Sequence, residues 1–84
     1  MFLQKRNYGN FIIKTLKEVT FEKGITKNTN LNTELDIDSI AWVQIMFKIE
    51  KEFGNFRDLE TLINAKYETV SDMISIIKNH YEAR

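Results

Sequence analysis

An aspartate-serine pair at the start of a helical pattern is the arrangement in this chain best suited to chemistry. Leu35-Asp36-Ile37-Asp38-Ser39-Ile40 closes a polar stretch and opens an amphipathic one that runs to Phe53. The Ser39 hydroxyl is thereby expected at a helix N-terminus, where unpaired backbone N–H groups and the positive end of the macrodipole favour an anion such as a phosphate ester. A serine hydroxyl is a poor nucleophile without a base. The single histidine, His80, lies near the end of the last helical pattern, and no Gly-x-Ser-x-Gly elbow is present. It also has no Cys or His companion to hold a metal. There is no glycine-rich phosphate loop, and Glu50 and Glu52 fall on different faces of a helix, which makes them a poor acid/base pair. A self-sufficient enzyme is the weakest reading, with no catalytic and no metal residues assigned. His80 reads as a charge or hydrogen-bond donor near a helix C-terminus.

The elements that must position Ser39 are helical. From about Lys5 to Phe21, Tyr8, Phe11, Ile12, Leu16 and Val19 recur at spacings of three and four, which predicts one helix with one buried face, broken by Gly24. Ile25 to Thr33 has the Asn/Thr composition of a loop, and a loop this long needs tethers in the core. Ile25, Leu31, Leu35 and Ile37 can supply them. The second helix is predicted from Asp38 as N-cap, or Ser39 as first helical residue, to Phe53, with Gly54 as its C-terminal break. At about 100° per residue, Ile45, Met46, Ile49 and Phe53 fall with Trp42 on one compact stripe, the core face. Ile40, Val43 and Phe47 form a second apolar stripe, and a surface helix needs only one. They either pack against the loop or the third helix, or are exposed for a purpose. A short helix from about Arg57 to Asn64 is expected to bury Phe56, Leu59 and either Leu62 or Ile63. The last helix starts at Thr69, with Asp72 completing a capping box and Val70, Met73, Ile76, Ile77 and Tyr81 on its buried face.

The 84 residues, without cysteine or proline, fit one domain over 1–84 with a small core. The net charge is zero, which argues against a nucleic-acid binder. The balance hides an asymmetry: residues 1–27 carry +4 and residues 28–84 carry −4, with Glu34, Asp36 and Asp38 beside Ser39. Met1 to Arg6 leads into Asn7-Tyr8-Gly9-Asn10 rather than an apolar run, so no secretory signal is expected. No stretch has the length of a membrane span. A soluble, cytoplasmic, monomeric protein is the expectation.

Helix, long loop, helix, short helix, helix, with Asp38-Ser39-Ile40 opening the second, resembles the acyl and peptidyl carrier protein family. The likeness spans nearly the whole chain, through Ile25 to Leu31, Leu35 to Ile40, Ile49-Glu50-Lys51-Glu52-Phe53 and Thr69-Val70-Ser71-Asp72-Met73. An Asp-Ser pair alone is a weak sign. Followed fourteen residues after Ser39 by the Glu-Phe-Gly close and thirty after it by Thr-Val-x-Asp, it is far more specific.

The resemblance implies an all-α, small four-helix bundle with a long loop between helices one and two and a short third helix. It implies that Ser39 receives a 4′-phosphopantetheine arm from coenzyme A, whose thiol holds acyl or aminoacyl groups as thioesters. A phosphopantetheinyl transferase would supply the activating groups and Mg²⁺, with Asp38 helping to dock the loop as well as capping the helix. Ile40, Val43 and Phe47 match positions that meet partner enzymes, namely a loading enzyme and downstream synthase or tailoring enzymes. Trp42 is expected in the core, or as a gate between helices two and three.

The chain also departs from the family pattern. Asp36 stands where glycine is usual, restricting the loop backbone. Ala41 and Gln44 stand where fatty-acid carriers place acidic residues, and Lys48 and Lys51 follow, so steering by a negative helix should be weak. The segment from Gly54 to Lys66 also looks slightly longer than usual. These departures suggest a stand-alone carrier in a specialised polyketide or nonribosomal peptide pathway. The other readings are a carrier of fatty-acid synthesis and an unmodified helical interaction module in which Ser39 is only a helix-capping residue.

Overall fold

The computed structural model describes residues 7–82. Four helices follow in chain order: α1 Tyr8–Thr20, α2 Ser39–Phe53, α3 Leu59–Asn64 and α4 Val70–Glu82. There is no strand among the described residues, only an isolated bridge between Asn30 and Thr69. The fold is thus the expected all-α bundle. The predicted start of α1 at Lys5 lies outside the described residues.

Helix α1 packs against both α2 and α4. Tyr8, Ile12 and Leu16 of α1, Ile45, Met46 and Ile49 of α2, Leu62 of α3, and Val70, Met73 and Ile77 of α4 are buried together. These are the stripes their spacing predicts. Phe11, Val19, Trp42, Phe53, Ile76 and Tyr81 pack around them half-buried. Leu62, not Ile63, is the buried residue of α3. The helix begins two residues later than Arg57, behind an Asp58 cap, and this phase leaves the expected core residue Leu59 exposed. Leu59 and Leu62 are three positions apart and share a face, but Leu59 opens the helix, one turn short of the core, and stays 41% exposed.

Helix α1 ends where its periodic stretch does, and its stop is made before Gly24, the expected breaker, is reached. It stops at Phe21, whose left-handed backbone (φ 64°) lets its N–H donate to the carbonyl of Lys17. Glycine is the usual residue at such a stop because any Cβ is crowded there. The Phe21 ring is 86% exposed and so recovers nothing by burial. Phe21→Gly is therefore expected to stabilise the fold by about 1 kcal/mol. A urea melt in which the substitution lowers the midpoint would contradict this.

The long loop is tied down by backbone as well as by side chains. Ile25, Leu31 and Leu35 are buried and Ile37 half-buried, as expected of tethers, and Thr29 joins them. The loop's own polar side chains replace regular structure. Asn30 Oδ1 accepts from the N–H groups of Asn32 and Thr33, and Thr29 Oγ1 accepts from the N–H of Thr26. The Leu31 N–H donates to the Glu68 carbonyl, while the N–H groups of Val70 and Ser71 donate to the carbonyls of Thr29 and Lys27. Thr69 and Asp72 exchange the two bonds of the predicted capping box, at 3.0 and 3.2 Å. The donors that the start of α4 would leave unpaired are thus all satisfied, two of them by the loop. Asp36 costs the loop no backbone strain, because Phe21 is the only non-glycine residue with positive φ among those described.

Candidate functional site

Helix α2 starts where the sequence predicts. Asp38 is its N-cap, with a carboxylate oxygen accepting from the Ala41 N–H at 2.8 Å, and Ser39 is the first helical residue. Gly54 ends it with φ 110°. The backbone N–H groups of Ser39 and Ile40 make no hydrogen bond within the described residues, unlike those opening α4. The Ser39 hydroxyl is likewise unpartnered and the residue is exposed. An exposed oxygen beside open donors at the positive end of a fifteen-residue helix can carry a phosphodiester without displacing any existing contact.

Ser39 also stands on the lining of a cavity of about 570 Å³ between α2 and α3. From α2 the cavity takes Trp42, Val43, Met46, Phe47 and Glu50, and from α3 it takes Leu59 and Ile63. Its remaining wall comes from the segment after α3 (Ala65, Lys66, Tyr67) and from Asn32 of the long loop. Most of these side chains are apolar, which suits a hydrocarbon guest. Trp42, expected in the core or as a gate, is half-buried against the core and stacks on Tyr67, with ring centroids 5.6 Å apart and planes 23° apart. Tyr67 is buried and donates its hydroxyl to the Leu62 carbonyl at 2.6 Å, which pins the segment after α3 back onto that helix.

Burial pushes the Tyr67 phenol up to about 12 from an ordinary value near 10. The fold holds the neutral phenol, so this contribution is complete below pH ~10 and is lost as pH rises through about 12. Over that window the denaturation midpoint of the protein should fall relative to that of Tyr67→Phe. Parallel profiles from neutral pH to 12 would count against it.

The second stripe of α2 is exposed: Ile40 70%, Val43 64% and Phe47 64%. Neither the loop nor α3 covers it. Val43 and Phe47 line the cavity as well, and the exposed Leu59 and Ile63 continue the apolar surface onto α3. Lys48 lies away from it, with its ammonium 3.9 Å from Glu18 of α1. The pair is exposed and contributes little to stability.

His80 is at the far end of the bundle. Its Nε2 accepts from the Arg57 N–H at 3.1 Å and its carbonyl from the Arg57 guanidinium at 2.9 Å, so it serves as an acceptor rather than the expected donor. The contact, with Tyr81 donating to the Gly54 carbonyl, ties the α2–α3 connection to the end of α4. Thr61 holds the Asp58 carboxyl below its usual value, through its hydroxyl first and then its N–H. No group of metal-ligating side chains occurs among the described residues. No helix there is long and apolar enough to cross a membrane.

The family model described as "Phosphopantetheine attachment site" matches residues 10–77. The chain belongs to the phosphopantetheine-binding carrier protein family. It is 42% identical over 72 residues to an acyl carrier protein of Lactobacillus acidophilus, covering 81% of this chain and 86% of that one. It is 32% identical over 72 residues to an acyl carrier protein of Rickettsia bellii, covering 80% of this chain and 81% of that one. No solved structure gives a significant match. As a member of this family the chain is a carrier, not an enzyme. Its prosthetic group is a covalently attached 4′-phosphopantetheine, supplied by a phosphopantetheinyl transferase and acted on by acyl-handling enzymes.

The pair Asp38-Ser39 and the stripe Ile40, Val43 and Phe47 are visible in the sequence. The other wall of the cavity is not. Tyr67 lies 25 positions beyond Trp42 in a segment without periodicity, and its one signal is a bulky aromatic just before the Thr69 cap. Asn32 gives none.

Proposed function

We propose that Ser39 carries the arm and that the cavity beside it shelters the acyl end of the cargo. The observation that carries this is an exposed, unpartnered hydroxyl on the lining of an apolar cavity. On attachment the Ser39 hydroxyl loses its proton and its oxygen replaces the nucleotide portion of coenzyme A on the phosphorus next to the pantetheine. The thiol of the arm then holds acyl groups as thioesters. Asp38 contributes by keeping the first turn of α2 formed while the transferase engages it, and the open N–H groups of Ser39 and Ile40 offset the phosphodiester charge.

Ile40, Val43 and Phe47 form the surface that loading and downstream enzymes meet. Ala41 and Gln44 contribute no charge beside them, so this surface is read by apolar shape more than by charge. That favours a dedicated pathway of the polyketide or nonribosomal peptide type, with the carrier acting as a cytoplasmic monomer. Fatty-acid synthesis is the second reading, favoured by relatives named acyl carrier protein.

The test of attachment is to incubate the apo-protein with coenzyme A, Mg²⁺ and a promiscuous phosphopantetheinyl transferase, and to weigh the intact chain. A gain of one phosphopantetheine is expected. No gain with several transferases would instead favour an unmodified interaction module. The pathway is tested on the holo-protein: use by a fatty-acid ketosynthase as ready as that of its own carrier would refute the dedicated reading.

A further inference from the structure

The stack of Trp42 on Tyr67 gives the cavity one wall unlike its others. Trp42 is three positions after Ser39, so the two side chains are neighbours on one face of α2, about 5–6 Å apart at Cβ. A chain that enters the cavity from Ser39 therefore passes the indole, with Val43 beside it, before the residues of the later turns. The indole is backed by a ring that is itself fixed, because Tyr67 is buried and its hydroxyl is bonded to the Leu62 carbonyl. Leu59 and Ile63 of α3 line the same cavity, and both are exposed. The cavity thus has one flat side, near the attachment serine, that is held in place.

We propose that Trp42 is the specificity-determining residue of this cavity, admitting slender, straight-chain acyl groups past its indole and turning away bulky or ring-terminated ones. Tyr67 is a positioning residue, acting only by holding the indole in place. This rests on the reading of Ser39 as the attachment point. A firm wall discriminates by width because close-packed side chains have no slack to take up added atoms.

Trp42 is the only tryptophan of the chain, so fluorescence reports on it alone. The protein is to be loaded, with acyl-coenzyme A donors and a promiscuous transferase, with either an octanoyl chain or a chain of similar length ending in a cyclohexyl ring. Mass spectrometry confirms each loading. Octanoyl loading should shift the Trp42 emission, and the ring-terminated group should not. Cleavage of the thioester by hydroxylamine, normalised to the same acyl-coenzyme A, should be slower for octanoyl by about ten-fold. Trp42→Ala should bring that ratio close to one, while Trp42→Phe, which keeps a flat ring, should retain most of it.

Emission that octanoyl loading leaves unchanged, or equal protection of both groups in the unaltered protein, overturns the inference even if Trp42→Ala does not fold. The outcomes separate the two levels of the proposal. Absence of any mass gain removes the attachment reading. A full gain with an unresponsive tryptophan removes only the role of Trp42.

Discussion

Ser39→Ala is expected to abolish phosphopantetheine transfer completely while leaving the fold as stable as before. The two halves of that expectation have separate causes. Transfer is lost because the oxygen that forms the phosphodiester is gone, and no other hydroxyl stands at the start of α2. Stability is retained because Ser39 is exposed and its hydroxyl has no hydrogen-bond partner, while the cap of α2 is supplied by Asp38. Alanine also has the highest helix propensity, so the first turn does not suffer. Intact-mass measurement after incubation with transferase and coenzyme A checks the first half, and a thermal melt checks the second. Residual mass gain on Ser39→Ala would move the attachment point elsewhere. Asp38→Ala should instead lower stability by about 1 kcal/mol through the lost cap and slow transfer without abolishing it, because the hydroxyl stays in place.

The largest effect on stability is expected from Ile49→Ala. Ile49 is 0% exposed, midway along the core stripe of α2 and within the cluster formed with α1 and α4. Removing three buried carbons forfeits their transfer free energy and leaves a void that close-packed neighbours only partly fill, at a cost of about 2–5 kcal/mol. A domain of this length has only ~4–13 kcal/mol of stability in all. A midpoint lower by roughly 8–40 °C should result, taking ~4–8 °C per kcal/mol. Phe47→Ala, on the same helix but 64% exposed, should change stability by less than about 0.5 kcal/mol. It should instead slow acyl transfer by partner enzymes. Similar melts for the two variants would mean that the two stripes of α2 had been misassigned.

Those stripes are legible in the sequence because helical phase is written into residue spacing. Trp42, Ile45, Met46, Ile49 and Phe53 can only share one face, and Ile40, Val43 and Phe47 only another. The caps are legible too, since Asp38 and the Thr69–Asp72 pair act within a single turn. Three features are not. The periodic stretch ends at Phe21 as read, but the stop is made by Phe21 itself, in a backbone conformation its residue type disfavours, and not by Gly24. Leu59 is exposed although it shares a face with buried Leu62, because it sits at the first position of a short helix whose placement on the core is set by distant contacts. The pairing of Trp42 with Tyr67 depends on how α3 folds back over α2, a long-range outcome that local pattern does not encode.

The bonds from Lys27, Thr29 and Leu31 to residues 68–71 also fix how the molecule can open. They lace the run-up to Ser39 to the first turn of α4, so neither can fray without unpairing donors of the other. The approach to the attachment serine is in this sense a cross-brace rather than a spacer. Damage to the cap at Thr69, remote from Ser39 in the chain, should therefore be felt in the amide-exchange protection of Leu31 on the attachment side.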